Sequence, residues 1–291
     1  MPVVTVGNAQ VHYTRTGTGP ALVLVHGTGS AGAELTWGGI AHRFADRHTV
    51  IMPDLSGTDR TSDDGAPLTV EGLAEQVAAV IEDAVDTTDG AGAAGTMGSA
   101  GAAVTAGAAG PAVDVLGFSM GAPVAAALAA SRPGLVRRLV MVAGWVRTDA
   151  DEYVRNLFTL WRRLGTVDAE AFGRSVTMTG FSRGFLNTIG RDEVEKLVPN
   201  LPPTPGTLRH VDLDSRVDIR WLLPLVRAET LVVGCSQDAT VPVGNSRDLH
   251  AAIPGSAYAE IDAGHVVFFE KPDEFVGLVR DFLVRDFVPA P

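Results

Sequence analysis

One pentapeptide carries the strongest indication of chemistry, the G-F-S-M-G of residues 117–121, which has the pattern G-x-S-x-G. An apolar run typical of a buried strand precedes it, and an Ala-rich run typical of a helix follows it. A direct strand-to-helix turn is strained, and its flanking glycines let the helix pack close to the strand. The pattern therefore predicts a nucleophilic Ser119 at the carboxyl end of a sheet. An N-cap serine between glycines is the alternative.

A serine hydroxyl needs a base to take its proton, and His265 is the candidate for that role. It lies in D-A-G-H, residues 262–265, between the last predicted strand and the closing helix. Because parallel strands deliver the loops that follow them to one edge of a sheet, His265 and Ser119 are expected at the same edge. We interpret the other histidines as structural or solvated.

A base of this kind is oriented by a carboxylate, and Asp238 follows the penultimate predicted strand. The chain order Ser119, Asp238, His265 is nucleophile, acid and base. Asp149 and Asp151 remain alternatives for the acid. Asp262 is a weaker candidate, since it lies three residues from His265 at the end of a strand.

Acyl transfer also needs hydrogen-bond donors for an oxyanion. The H-G-T-G of residues 26–29 follows a predicted strand at residues 21–25, which favours the backbone N–H of Thr28 and of Met120 as that pair. An ordinary glycine-rich turn is the alternative. We interpret His26 as structural, bonded to neighbouring backbone, and also keep it as a candidate substrate contact.

Composition limits the classes of partner. The 291 residues carry a net charge of −11, with 34 acidic and 23 basic side chains, which argues against nucleic acid or an anionic membrane surface. The one cysteine excludes an internal disulfide and a thiolate metal cage. No secretory signal or membrane-spanning run is evident. We expect a soluble, cytoplasmic protein with a small-molecule substrate; its oligomeric state is undecided, with a homodimer left open.

Strands and helices alternate along most of the chain. Strands are predicted at residues 3–6, 10–15, 21–25, 50–52, 113–117, 139–143, 230–234 and 257–261, and helices at 35–46, 69–86, 120–131, 246–253 and 272–287. This alternation predicts an α/β fold with a mostly parallel sheet.

Two segments interrupt the alternation. Residues 87–112 are rich in Gly and Ala and predict a flexible surface insertion, with an Ala-rich helix as the alternative. Residues 146–220 mix aromatic residues with prolines and predict an excursion after the strand at 139–143. The expected organisation is a core of residues 1–145 and 221–291, with a cap or lid at 146–220.

Taken together, His26-Gly27, the pentapeptide, Asp238 and His265 resemble the α/β-hydrolase superfamily, in its esterase, haloperoxidase and C–C hydrolase branch. The resemblance covers nearly the whole chain. It implies an α/β-hydrolase fold: an eight-stranded, mostly parallel sheet flanked by helices, an antiparallel second strand, and a helical cap after the sixth strand. It also implies no metal and no organic cofactor.

One loop departs from the pattern of the superfamily. Relatives usually have Asp-x-x-Gly-x-Gly-x-Ser after the fourth strand, and here Asp59 replaces the second glycine of the stretch at residues 54–61. We therefore expect this loop to have a different shape near the pocket.

The favoured function is a serine hydrolase that cleaves a carboxylic ester, lactone or thioester of a bulky apolar molecule through an acyl-enzyme on Ser119. The alternative is another use of the same residues, as a lyase, cyclase, C–C hydrolase, or cofactor-free haloperoxidase or perhydrolase. A binding protein without activity is a third hypothesis, which the presence of all three catalytic residue types disfavours.

The aromatic residues of the excursion are candidate substrate contacts. Phe158, Trp161, Phe172, Phe181 and Phe185 are predicted to line an apolar pocket. The alternative, which the sequence leaves equally open, is that they pack the excursion against the core.

Overall fold

A computed structural model describes residues 1–90 and 112–284 of the chain. Its strands are β1 Val3–Val6, β2 Ala9–Thr16, β3 Ala21–Val25, β4 Thr49–Asp54, β5 Val113–Phe118, β6 Val136–Val142, β7 Glu229–Cys235 and β8 Ala257–Ile261. They form one eight-stranded sheet in the order β1-β2-β4-β3-β5-β6-β7-β8. Only β2 runs opposite to the other seven strands, which confirms the expected mostly parallel sheet.

Helices cover both faces of this sheet. They are α1 Gly32–Trp37, α2 Val70–Gly90, α3 Gly121–Ser131, α4 Glu152–Val167, α5 Ala169–Gly180, α6 Arg183–Ile189, α7 Arg191–Leu197, α8 Pro205–Asp214, α9 Gly244–Ala252, α10 Val267–Glu270 and α11 Pro272–Leu283. Among the described residues, no helix is long and apolar enough to cross a membrane.

Continuous apolar strands result from burial on two faces. In β3, Val23 and Val25 belong to the core cluster that includes α2 and α3, while Leu22 and Leu24 belong to the cluster that includes α1 and α11. All four side chains are fully buried. A central parallel strand has no polar face, so it reads as an uninterrupted hydrophobic run rather than an alternating one.

The predicted helix at residues 35–46 is wrong. Helix α1 ends at Trp37 with Gly38 as its C-cap, and a separate 3₁₀ turn covers Ala41–Arg43. Two adjacent glycines in the predicted interior, Gly38 and Gly39, explain the break, because glycine disfavours the helix through its backbone entropy.

The C-terminal ends of two predicted helices lie next to residues that the structure does not describe. Helix α2 continues to Gly90, four residues into the predicted insertion at 87–112, and residues 91–111 of that insertion lie outside the described residues. The closing helix α11 ends at Leu283, and the end predicted at residue 287 lies outside the described residues.

Helices α4 to α8 lie between β6 and β7 and are called the inserted helices below. Side chains cap several of their N-termini: Asp151 for α4, Asp168 for α5, Ser182 for α6 and Thr204 for α8. Each accepts hydrogen bonds from backbone N–H groups that the first helical turn leaves unpaired. The division of the chain into a core and a cap stays a prediction.

Strands β5 and β3 both approach helix α3 more closely than side chains would allow. A Cβ atom at Gly117 would lie 2.2 Å from the Gly121 carbonyl oxygen, and one at Gly121 would lie 2.4 Å from the Val25 carbonyl oxygen. Both contacts are with backbone, which cannot move aside as a flexible side chain can. The sequence-based reason for these two glycines is thus borne out by the packing.

Replacing Gly117 by Ala is expected to lower the free energy of unfolding by about 2 kcal/mol or more, because β5 and α3 must separate to admit the methyl group. Urea unfolding measures the loss. The control is Gly277→Ala in α11, where a Cβ meets nothing within 4 Å and stability should rise by up to ~1 kcal/mol. Equal stability of Gly117→Ala and the unmodified protein would contradict the packing argument.

Candidate active site

Ser119 occupies the turn between β5 and α3 in a left-handed backbone conformation, with φ of +53°. Its N–H donates to the Val142 carbonyl of β6 at 2.9 Å, and its carbonyl accepts from the Ala122 N–H at 2.9 Å. The sheet and the first turn of the helix therefore hold this residue in a conformation that non-glycine residues rarely adopt. The hydroxyl is presented at the start of α3, as the pentapeptide predicts.

The structure brings the three predicted side chains together. His265 Nε2 lies 2.9 Å from Ser119 Oγ, and His265 Nδ1 lies 2.7 Å from Asp238 Oδ2. With Nδ1–H donating to the carboxylate, the lone pair of Nε2 faces the serine hydroxyl. This is the geometry in which an imidazole can take the proton of an attacking hydroxyl.

Asp238 is oriented by backbone as well as by the imidazole. Its Oδ1 accepts from the N–H groups of Thr240 and Val241, both at 2.8 Å, and its side chain is fully buried. Two N–H donors and one imidazole donor therefore fix the position of this carboxylate.

The other three candidate carboxylates bond to residues other than His265. Asp149 pairs with Arg147, Asp151 caps α4 and accepts from Asn245, and Asp262 accepts from Ser236 and Gln237. Of the four carboxylates considered, Asp238 is the one bonded to His265.

The predicted oxyanion donors lie beside Ser119. Thr28 lines the same cavity as Ser119, and Met120 follows it as the N-cap of α3. Within the described residues, the N–H groups of Thr28 and Met120 donate to no backbone or side-chain acceptor. Their role as oxyanion donors stays a prediction.

Helix α8 holds the loop that carries Thr28, a feature that the sequence did not reveal. Three consecutive residues, 28–30, bond to one face of the helix. Thr28 Oγ1 donates to Asp214 Oδ2 at 2.5 Å, the Gly29 N–H to His210 Nδ1 at 3.1 Å, and the Ser30 N–H to Thr207 Oγ1 at 3.1 Å. Their acceptors recur at helical spacing, so one stripe of α8 fixes the loop.

Burial keeps several ionisable groups near this loop uncharged. Loss of solvent raises the pKa of Asp214 to about 8, and its hydrogen bond from Thr28 only partly opposes the shift. Burial lowers the pKa of His210 to about 3 and also lowers that of His26. The Nδ1–H of His26 donates to the Gly27 carbonyl, while its Nε2 accepts from the Leu55 N–H.

A cavity of about 200 Å³ opens beside Ser119 and His265. Its lining is mostly apolar and comprises Thr28, Leu35, Thr36, Phe118, Ser119, Phe158, Trp161, Val176, Thr177, Gly180, Phe181, Leu197, Asn200, Leu201, Asp214, Thr240, His265, Val266, Phe268 and Phe269. None of these residues is Lys or Arg, so the lining supplies no cation for an anionic substrate group.

The structure separates the predicted substrate contacts into two sets. Phe158, Trp161 and Phe181 line the cavity. His26 does not line it and is fully buried with backbone partners. Phe172 and Phe185 do not line it either: Phe172 packs against Trp161, and Phe185 stacks on Phe181 with ring centroids 5.2 Å apart. Both possibilities that the sequence left open therefore occur, since some aromatic residues line the cavity and others only pack.

Glu270 ties the His265 loop to the inserted helices. Its carboxylate accepts from the N–H and hydroxyl of Ser182, at 2.6 and 2.7 Å, and from the Gly264 N–H at 3.2 Å. The Val266 N–H adds a bond to the Gly180 carbonyl at 3.0 Å. The two residues that flank His265 are thus both anchored to the insertion.

The unusual Asp59 lies next to the loop of Thr28 rather than in the cavity. Its N–H donates to the Ser30 carbonyl at 2.8 Å, and its side chain is exposed. The expected change in loop shape stays a prediction. Among the described residues, no cluster of His, Cys, Asp or Glu could hold a metal ion.

Sequence reasoning missed Thr207, His210, Asp214 and Glu270. The spacing of the first three, at i, i+3 and i+7, is a helical stripe of polar residues, and it is the one signal that could have marked them. Glu270 carries no comparable pattern.

A sequence model of the alpha/beta hydrolase family matches residues 22–278. The chain is 35% identical to pyrrolizixenacetamide deacetylase of Xenorhabdus hominickii, over 99% of this chain and 100% of that protein. It is 27% identical to a putative carbamate hydrolase, RutD, of Azorhizobium caulinodans, over 97% and 98% of the two chains. An alpha/beta hydrolase enzyme from a deep-sea metagenome library has the same fold, with a TM-score of 0.81, 18% identity and 99% coverage of both chains.

Replacing Asp214 by Asn is expected to stabilise the protein at pH 8.5 relative to the unmodified protein, and by less at pH 5. The folded protein keeps the Asp214 proton up to pH of about 8, whereas the unfolded chain loses it near 3.8, so stability falls as the pH rises between these values. The slope from this one group is at most about 1.4 kcal/mol per pH unit. Melting temperatures across the range measure the difference.

Asp212→Asn is the matched control, since Asp212 is exposed on the same helix and pairs with Arg216. A stability difference between Asp214→Asn and the unmodified protein that does not change with pH would contradict a buried, protonated carboxyl.

Proposed function

This chain belongs to the alpha/beta hydrolase family, and on that premise we propose that it hydrolyses an ester or amide bond through an acyl-enzyme on Ser119. The observation that carries the proposal is the continuous set of hydrogen bonds from Ser119 Oγ through His265 to Asp238. The deacetylase and the putative carbamate hydrolase, which align over nearly the whole chain, support hydrolysis of an acyl–heteroatom bond. An amide or carbamate therefore joins the esters favoured by the sequence.

The first half of the reaction forms the acyl-enzyme. Ser119 Oγ attacks the substrate carbonyl carbon while His265 Nε2 takes the hydroxyl proton. Asp238 holds the imidazole in the required tautomer and stabilises the imidazolium that forms. The N–H groups of Thr28 and Met120 bind the oxyanion, and the positive end of α3 favours the same charge.

The second half releases the product. The imidazolium of His265 donates its proton to the leaving oxygen or nitrogen as the tetrahedral intermediate collapses. A water molecule, deprotonated by the same imidazole, then attacks the acyl-enzyme, and Ser119 regains its proton as the acid leaves.

The cavity favours a neutral acyl compound. Its lining has aromatic walls from Phe158, Trp161 and Phe181 and contains no Lys or Arg. Burial of apolar substrate surface against these rings is worth roughly 25 cal/mol per Å². A group of about 200 Å³ fits the space next to Ser119.

Ser119→Ala is expected to abolish hydrolysis of p-nitrophenyl acetate and labelling by a fluorophosphonate, and to prevent any mass increase from an acyl adduct. The reason is that, within the described residues, no other hydroxyl bonds to His265. Ser131→Ala is the matched control, since Ser131 is an exposed serine at the other end of α3. Full activity of Ser119→Ala would overturn the proposal.

Asp238→Asn is expected to lower kcat by up to ~10⁴-fold, because an amide favours the wrong imidazole tautomer.

Turnover with peroxide and acetate, compared with turnover of the p-nitrophenyl ester, tests the perhydrolase alternative. Peroxide-dependent turnover without ester hydrolysis would favour that alternative.

A further inference from the structure

Two oxygen atoms in the lining of the cavity are buried without a hydrogen-bond partner among the described residues: Asp214 Oδ1 and Thr240 Oγ1. Asp214 is the only carboxyl group in the lining, and the residue is 1% exposed. A buried polar atom without a partner weakens a fold, and a bound ligand that supplies the partner removes the penalty.

The carboxyl group of Asp214 is fixed from several sides. Its Oδ2 accepts from Thr28 Oγ1, and its backbone carbonyl accepts from Thr148 Oγ1. Thr148 in turn accepts from the indole N–H of Trp145 at 2.9 Å. With Oδ2 and the backbone already engaged, Oδ1 is the atom left to bind a ligand.

The surroundings keep this carboxyl group protonated at neutral pH. Burial sets its pKa near 8, and no charged group contributes to that shift. Three titratable side chains lie on the elements around it. His26 and His210 have pKa values that burial lowers, and His265 lines the cavity. The charged side chains Asp212, Arg216 and Arg162 lie together on the exposed side. A proton on Oδ1 is compatible with this bond, because Oδ2 then keeps its lone pairs to accept from Thr28.

We propose that Asp214 determines substrate specificity: its Oδ1–H donates a hydrogen bond to an acceptor oxygen of the substrate. The selected class is neutral acyl compounds that carry a second carbonyl or ether oxygen outside the bond that is cleaved. Thr28 joins this subsite to the reaction, because its hydroxyl bonds to Asp214 while its N–H serves the oxyanion. The inference rests on the proposed function and names the substrate class of that site.

The test compares p-nitrophenyl hexanoate with its 3-oxo, 4-oxo and 5-oxo analogues, which have nearly the same size. At pH 6.5, at least one oxo ester should have a kcat/KM about 5- to 10-fold above that of the plain ester, as one hydrogen bond predicts. The preference should decline above pH of about 8, where Asp214 loses the proton that it donates.

Three variants distinguish a substrate-binding role of Asp214 from a purely structural one. Asp214→Asn accepts from Thr28 and donates from its amide at every pH, so it should keep the preference and remove its pH dependence. Asp214→Leu should lose the preference. Asp212→Asn, on the same helix but outside the lining of the cavity, should retain both the preference and its pH dependence.

Absence of any preference in the unmodified protein, a preference that does not change up to pH 9, or a preference retained by Asp214→Leu would each overturn the inference. Hydrolysis of all four esters at equal rates with an adduct on Ser119 would leave the proposed function standing. Binding of the corresponding methyl esters to Ser119→Ala, measured by calorimetry, reports the subsite without chemistry. A preference there, combined with no hydrolysis by the unmodified protein, would reject the proposed function alone.

Discussion

The close approach of β5 and α3 is the constraint on which the site depends. The chain leaves a buried strand and enters a helix within three residues. Glycine at 117 lets β5 meet α3, and glycine at 121 lets α3 meet the end of β3. Ser119 makes the turn by adopting a left-handed backbone conformation, which costs of order 1–3 kcal/mol. Its N–H is nevertheless paired with β6, so the sheet itself holds the strained residue.

Parallel topology supplies the partners of that serine. Asp238 follows β7 and His265 follows β8, so the two loops lie at the edge where β5 ends. The distances that result, 2.7 and 2.9 Å, join three residues of which the first and last are 146 positions apart. Backbone N–H groups fix Asp238, which means that the rigid ends of strands, rather than mobile side chains, set the geometry.

The inserted helices anchor two of the loops that form the site. One stripe of α8 fixes residues 28–30, and Glu270 anchors the loop of His265 to Ser182. Displacement of these helices would therefore disturb the oxyanion donors and the base together. The groups buried at this junction, His210 and Asp214, remain uncharged at neutral pH, which suits a cavity with no cation in its lining.

Local patterns in the sequence determined the strands, the strained serine and the chain order of nucleophile, acid and base. These follow from short-range rules: apolar runs form buried strands, glycines permit a tight turn, and parallel strands end at one edge. The break after Trp37 was missed because two glycines outweigh an otherwise helical pattern. Only the tertiary structure decided that Asp214 contacts Thr28, 186 residues away, and that burial keeps its carboxyl protonated. Both depend on which surfaces meet, and a polar stripe on a helix does not specify its partner.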